Sequence, residues 1–211
     1  ATAAPIQTVR VPKGQYVNDM KSFVLMICLA VPSIVMSYFI LAVCPTAVEV
    51  PDMLKPLCTA PPMNAFHFIL FVNFIVLFWL VSLITGSTWH TTPFWFFIPV
   101  LGFHFYQFTP RAIYRPRVPI VGVLVWVWAA SLFYNYFRRE EWHFGFREDP
   151  RIVELKKMFP KFFLITSLIA AFVLPTIIFG SVTICFYYIH VSRRELSQRD
   201  LTGALMMLLG V

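Results

Sequence analysis

The sequence predicts an all-α integral membrane protein with four to five transmembrane helices. Two observations predict this class. The 211 residues are 59% hydrophobic and 13% charged, whereas soluble domains carry about 25% charged residues. The charges are also sorted: all seventeen Lys and Arg and all ten Asp and Glu fall in five patches, at the two termini and in three connections. The apolar segments between these patches hold no Asp, Glu, Lys or Arg, and histidine is the one basic side chain within them. An ionised group at the centre of a bilayer costs about 2.5–3.5 kcal/mol even on the gentlest scale, and a soluble chain has no reason to sort its charges this way.

The elements follow in order. Residues 1–21 form a basic extension. Its opening, ATAAPIQTVRVPKG, is small, basic and free of acids, as the remnant of an organelle import segment would be. Ser22–Cys44 is the first span, long enough for a hydrocarbon core of about 30 Å and kinked by Pro32. Pro45, Pro51 and Pro56 fill the loop after it. Ala65–Thr85 is the second span, ended by Gly86-Ser87-Thr88. Pro93–Phe108 is a third segment, at the short end of what crosses a bilayer and carrying Pro99 and Gly102, so it is either a short span or re-entrant. Val118–Phe137 is a clear fourth span. Phe162–His190 is the fifth, too long to stand upright, with Pro175 and Gly180 as kink points. In the tail, 191–211, a charged stretch is followed by LTGALMMLLGV, too short to span and expected to lie amphipathically at the interface.

With five spans, ten of the seventeen basic residues share the face of the N-terminus. The positive-inside rule then turns that face to the cytoplasm or mitochondrial matrix. A re-entrant third segment would leave nine against eight, which orients nothing. Cys44 and Cys58 bracket the first loop on the other face. A disulfide there would staple a proline-rich loop in an oxidising compartment; the alternative is two unrelated thiols. Cys28 and Cys185 read as small apolar residues within spans.

Candidate functional residues are few. His67 and His104 fall at similar depth on neighbouring antiparallel segments, which suits a bis-histidine haem or a quinone head group. Interfacial histidines bonded to backbone carbonyls are the plainer reading. Asn73, mid-span, needs a partner on another helix. A transporter or proton channel usually carries acids or bases near the midplane, and this chain has none. Metal or nucleophilic catalysis lacks its motifs: there is no His-Glu-x-x-His, Cys-x-x-Cys or Gly-x-Ser-x-Gly. Glu140-Glu141-Trp142-His143 is the nearest to a catalytic cluster, but the arginines around it suggest a salt-bridged surface.

Basic residues have a more definite use. Arg111, Arg115 and Arg117 follow the third segment, and Arg138, Arg139, Lys156, Lys157 and Lys161 lie on the other face. Groups at that level attract anionic lipid phosphates, worth about 1 kcal/mol per charge, cardiolipin being the natural ligand in a mitochondrial membrane. Nucleic acid is not implied. Trp89, Trp95, Tyr106, Tyr114, Tyr134, Tyr136, Trp142, Tyr187 and Tyr188 flank span ends as interfacial belts. Bulky residues all round, with few Gly-x-x-x-Gly seams, suit helices that face lipid or neighbouring proteins.

The expected function is therefore a non-catalytic accessory subunit of a multi-subunit energy-transducing complex, respiratory or ATP synthase, in the mitochondrial inner membrane. It would need neither cofactor nor metal, and its partners would be other membrane subunits and anionic phospholipid. A haem- or quinone-binding anchor at His67 and His104 is the alternative, and a lipid-modifying enzyme or carrier the third.

Overall fold

The structure, a computed structural model, describes residues 16–46, 51–52, 54–114, 116–142 and 149–210, with the backbone alone for 16–19 and 150. Among these residues every regular element is helical. Helix α1 covers Tyr16–Tyr38 and runs on as a π-helical turn, Phe39–Val43. Short α2 is Lys55–Thr59. Helix α3, Pro62–Thr85, is π-helical over Phe71–Leu77. Then come α4 (Thr91–Gln107), α5 (Arg117–Arg139) and α6 (Pro150–Met158). Helix α7, Phe163–Val191, has a π segment at Leu168–Val173, and α8 is Gln198–Leu209.

Four stretches are long and apolar enough to cross a membrane: Met20–Val43, Pro62–Thr85, Arg117–Arg139 and Phe163–Val191. Helix α4, at 17 residues, is shorter, and ring contacts give its direction. Phe66, early in α3, meets Phe105 and Tyr106 late in α4, while Phe78, late in α3, meets Phe94 early in α4. Helix α4 therefore runs antiparallel to α3 and ends at the opposite end of the bundle, so the re-entrant alternative does not hold. It lies parallel to α7, with Trp95 on Phe179, Phe103 on Phe186 and Tyr106 on Tyr187. Helix α5 returns antiparallel, His104 facing Trp126 and Phe96 facing Tyr136. Helix α4 is short because its neighbours are protein. Most of it, from Thr91 to Tyr106, is buried, and a helix sheathed by others need not match the thickness of the hydrocarbon.

Close packing comes from single glycines facing large groups. A Cβ on Gly102 would lie 2.7 Å from Thr183 Cγ2 and 3.0 Å from Phe66 Cζ. One on Gly122 would lie 3.0 Å from the Phe103 ring, and one on Gly180 3.2 Å from Leu70 Cδ1. The expectation that bulky helices with few Gly-x-x-x-Gly seams face lipid or neighbouring proteins is corrected for α4, which faces its own bundle. Each notch is one residue wide and its filler sits on another helix. Two belt residues are corrected as well: Tyr106 is fully buried and Trp89 nearly so, because both pack inward.

The polar groups inside the spans are mostly bonded within their own turn: Ser33 to Ala30 O, Ser37 to Ser33 O, Thr183 to Gly180 O. Asn73 is one exception. Its amide donates across to Leu29 O of α1 at 3.2 Å, as a mid-membrane asparagine requires.

One end of the bundle gathers the end of α1, the 108–114 segment and α8. Ile113 N–H donates to His190 O at 2.7 Å there, and Arg117 pairs with Asp200 at 2.8 Å, tying α8 to α5. The other end holds the start of α1, the 86–90 turn and α6. Gly86 closes α3 there in the left-handed region, φ 69°. Glu141 and Trp142 adopt φ 54° and 60°, a conformation that costs a non-glycine residue about 1–2 kcal/mol. Stacking of Trp142 on Phe137, 6.1 Å between centroids, holds that turn.

Candidate functional site: an apolar groove beside His104

Between α1 and α5, with α4 as its floor, lies a groove of about 670 Å³. Ligand sites commonly occupy about 300–1,000 Å³, lined by apolar groups with a few placed polar ones. Here α1 contributes Ile34, Ser37, Tyr38, Leu41 and Ala42, α4 contributes Phe97, Val100, Leu101, His104 and Phe105, and Trp126 stands on the α5 side. The helical period explains the lining. Positions 97, 100, 101 and 104 share one face of α4, while the adjoining face, with Gly102, turns to α7. Ser37 is already bonded to its own helix.

The polar point of the groove is His104. Its Nε2 lies 2.9 Å from Trp126 Nε1, and its Nδ1 3.1 Å from Gln107 Oε1. An indole N–H can only donate, so Nε2 is the acceptor and the single ring proton sits on Nδ1, donated to Gln107. Trp126 is half exposed. No Lys, Arg, Asp or Glu lines this cavity.

His67 is elsewhere. Its Nδ1 donates to Met63 O at 2.7 Å, and its Nε2 faces Gly180 of α7, 3.7 Å from where a Cβ would stand. A bis-histidine haem needs both Nε2 lone pairs aimed at one metal. In this arrangement one is taken by Trp126 and the other looks into a helix contact, so the two histidines are not brought to a common cavity. Among the described residues no group of three His, Cys, Asp or Glu is placed to hold a metal ion.

The other sequence candidates are scattered. Cys44 and Cys58 form a disulfide, Cα atoms 5.3 Å apart, while Cys28 and Cys185 are free and exposed. Arg117 is engaged with Asp200 and Glu195 O. Arg139 reaches Glu140 and lies over the Tyr136 ring, and Lys156 lies over Phe163. Arg111, Arg138, Lys157 and Lys161 are exposed at the two ends. Arg115 and His143 lie outside the described residues.

Sequence reasoning missed Trp126 as the partner of His104. The available signal was a mid-span tryptophan, whose N–H needs an acceptor once away from water.

A family model matches residues 78–211, well over half the chain, and its description is "protein of unknown function (DUF1295)". The chain belongs to the DUF1295 family. No curated protein and no solved structure matches it. The DUF1295 stretch begins late in α3, so the α4 and α5 sides of the groove, His104 and Trp126 included, fall inside it. Helix α1 and the disulfide lie before it.

Proposed function

We propose that this DUF1295 protein is an amphiphile-binding membrane protein, holding one bilayer-derived molecule in the groove between α1 and α5. The observation that carries this reading is the groove's composition: an apolar cavity of ligand size with few hydrogen-bonding side chains, chief among them His104 with Trp126. Apolar walls take a chain or fused-ring body out of bulk lipid, and the His104–Trp126 pair orients its head. The head lies toward the end of the bundle that carries the disulfide, since Leu41, Ala42 and His104 sit at that end. Anchoring a quinone by its head group falls within this reading. The test is extraction of the protein in native lipid discs, exchange into detergent, and mass spectrometry of what stays bound. One amphiphile is expected to survive exchange on the natural protein and to be lost when Ile34, half exposed at the rim, becomes Trp. Equal retention by both proteins removes the reading.

A second reading has its own support. Helix α8 buries none of its residues and exposes Leu201, Leu205, Met206, Leu208 and Leu209, and much of α1 also faces outward. Such surfaces suit an accessory subunit of a larger membrane complex. The basic-residue count turns the N-terminus to the cytoplasm or matrix, and the mitochondrial inner membrane is the setting proposed. Exposed basic side chains at both ends suit anionic phospholipid, cardiolipin included. Migration at hundreds of kilodaltons with other subunits after mild extraction supports this reading. A particle no larger than this chain or a small homo-oligomer removes it.

A further inference from the structure

We propose that the head of the bound amphiphile is a hydroxyl group, seated between Trp126 and His104; this rests on the groove being a ligand site. The donors and acceptors of the two side chains select that group. Trp126 Nε1 can only donate, and with the His104 proton on Nδ1 and given to Gln107, Nε2 can only accept. The two atoms, 2.9 Å apart, satisfy each other at the α5 side of the groove. A head that parts them must accept from the indole and donate to the imidazole at once. A hydroxyl does both through one oxygen. An aldehyde, ketone or ester oxygen only accepts, and would leave Nε2 unpaired in an apolar wall, which costs more than a hydrogen bond returns.

Charge narrows the class further. A carboxylate or phosphate would enter a groove with no Lys or Arg in its lining, and an uncompensated anion in such surroundings is strongly disfavoured. The indole can swing because it is half exposed, whereas His104 is tethered through Gln107. Trp126 thus acts as the movable partner and His104 as the fixed one. The expected ligand class is a long-chain or polycyclic alcohol of the bilayer. A quinone head, which only accepts, would be bound less well than its quinol.

The experiment uses the full chain in lipid nanodiscs with tritiated hexadecanol as probe, displaced by hexadecanal, hexadecanoic acid or hexadecane. Hexadecanol is expected to bind about tenfold tighter than hexadecanal or hexadecane, the advantage of roughly one well-paired hydrogen bond. Trp126→Phe and His104→Phe are each expected to bring the alcohol to within about twofold of the alkane. Saturable binding of tritiated hexadecane by each variant reports that its groove has folded, and alcohol is compared with alkane within the same variant. Saturable hexadecane binding with no preference for the alcohol overturns the hydroxyl assignment and leaves the groove reading standing. Preference for hexadecanoic acid overturns it in favour of a carboxyl head. No saturable binding of any of the four, together with indifference to Ile34→Trp, removes the groove reading itself.

Discussion

Gly102 sets how near α4 approaches its neighbours, and the distances there allow a direct prediction. A methyl group would meet Thr183 Cβ and Cγ2 at 2.8 and 2.7 Å, and Thr183 is fully buried with its hydroxyl bonded to Gly180 O. Nothing at that contact can give way cheaply. Gly102→Ala is expected to destabilise the protein by about 1–3 kcal/mol, the usual cost of overpacking, in detergent-titrated unfolding. Gly203→Ala, with nothing within 4 Å of the added carbon, should leave the midpoint in place or raise it slightly. At this scale the chain was partly legible. The need of Asn73 for a partner on another helix followed from its chemistry and depth. The partner of His104 did not, because a tryptophan 22 residues away in the sequence becomes a neighbour only when α5 folds back along α4.

Helix α6 shows how an element outside the membrane is held. Asp149 caps it, accepting from Arg151 N–H at 2.9 Å and from the Arg151 guanidinium at 2.7 Å. Those bonds, the side-chain bond from Arg151 foremost, hold the Asp149 carboxyl below its ordinary value. A depressed carboxyl stabilises the folded form above its unfolded pKa of about 3.9, and that contribution disappears as pH falls through the lower folded value. The amides at the start of α6 should thus keep their protection in hydrogen exchange down to about pH 4 and lose it below. Asp149→Ala is expected to cost about 1 kcal/mol at neutral pH and to abolish that acid step; an unchanged step would assign it to another group. The span limits themselves were readable to within a few residues, since charge and proline mark where helices leave the hydrocarbon. The π segments in α1, α3 and α7 were not, because they depend on side-chain packing that the hydropathy pattern does not encode.

For the whole molecule, the disulfide is the covalent clip across the first loop. It joins the end of α1 to α2 across a sequence separation of 14 residues, and closing a loop of that size is worth about 3 kcal/mol. Denatured, unreduced protein should expose two of its four cysteines to a maleimide and all four after reduction. Replacing Cys44 and Cys58 by Ser should lower the unfolding free energy by about 2–4 kcal/mol. Four reactive thiols without reductant would remove the clip. Tyr38, Leu41 and Ala42 of α1 line the groove just before Cys44, so the same variant should also loosen retention of a bound amphiphile.

Membrane class, span positions and the division of charge between two faces were readable in the linear chain, because the cost of placing charge in hydrocarbon acts on each residue alone. The groove required the folded bundle. Its lining comes from three helices, and its polar point is one donor and one acceptor brought within 2.9 Å. The central position of α4 and its run from one end of the bundle to the other also required it, since a 17-residue helix suits either a span or a re-entrant turn until Phe66 and Phe78 are seen to meet its two ends. Pairing across helices is a property of geometry, and the order of residues along one strand of chain carries no record of which faces will meet.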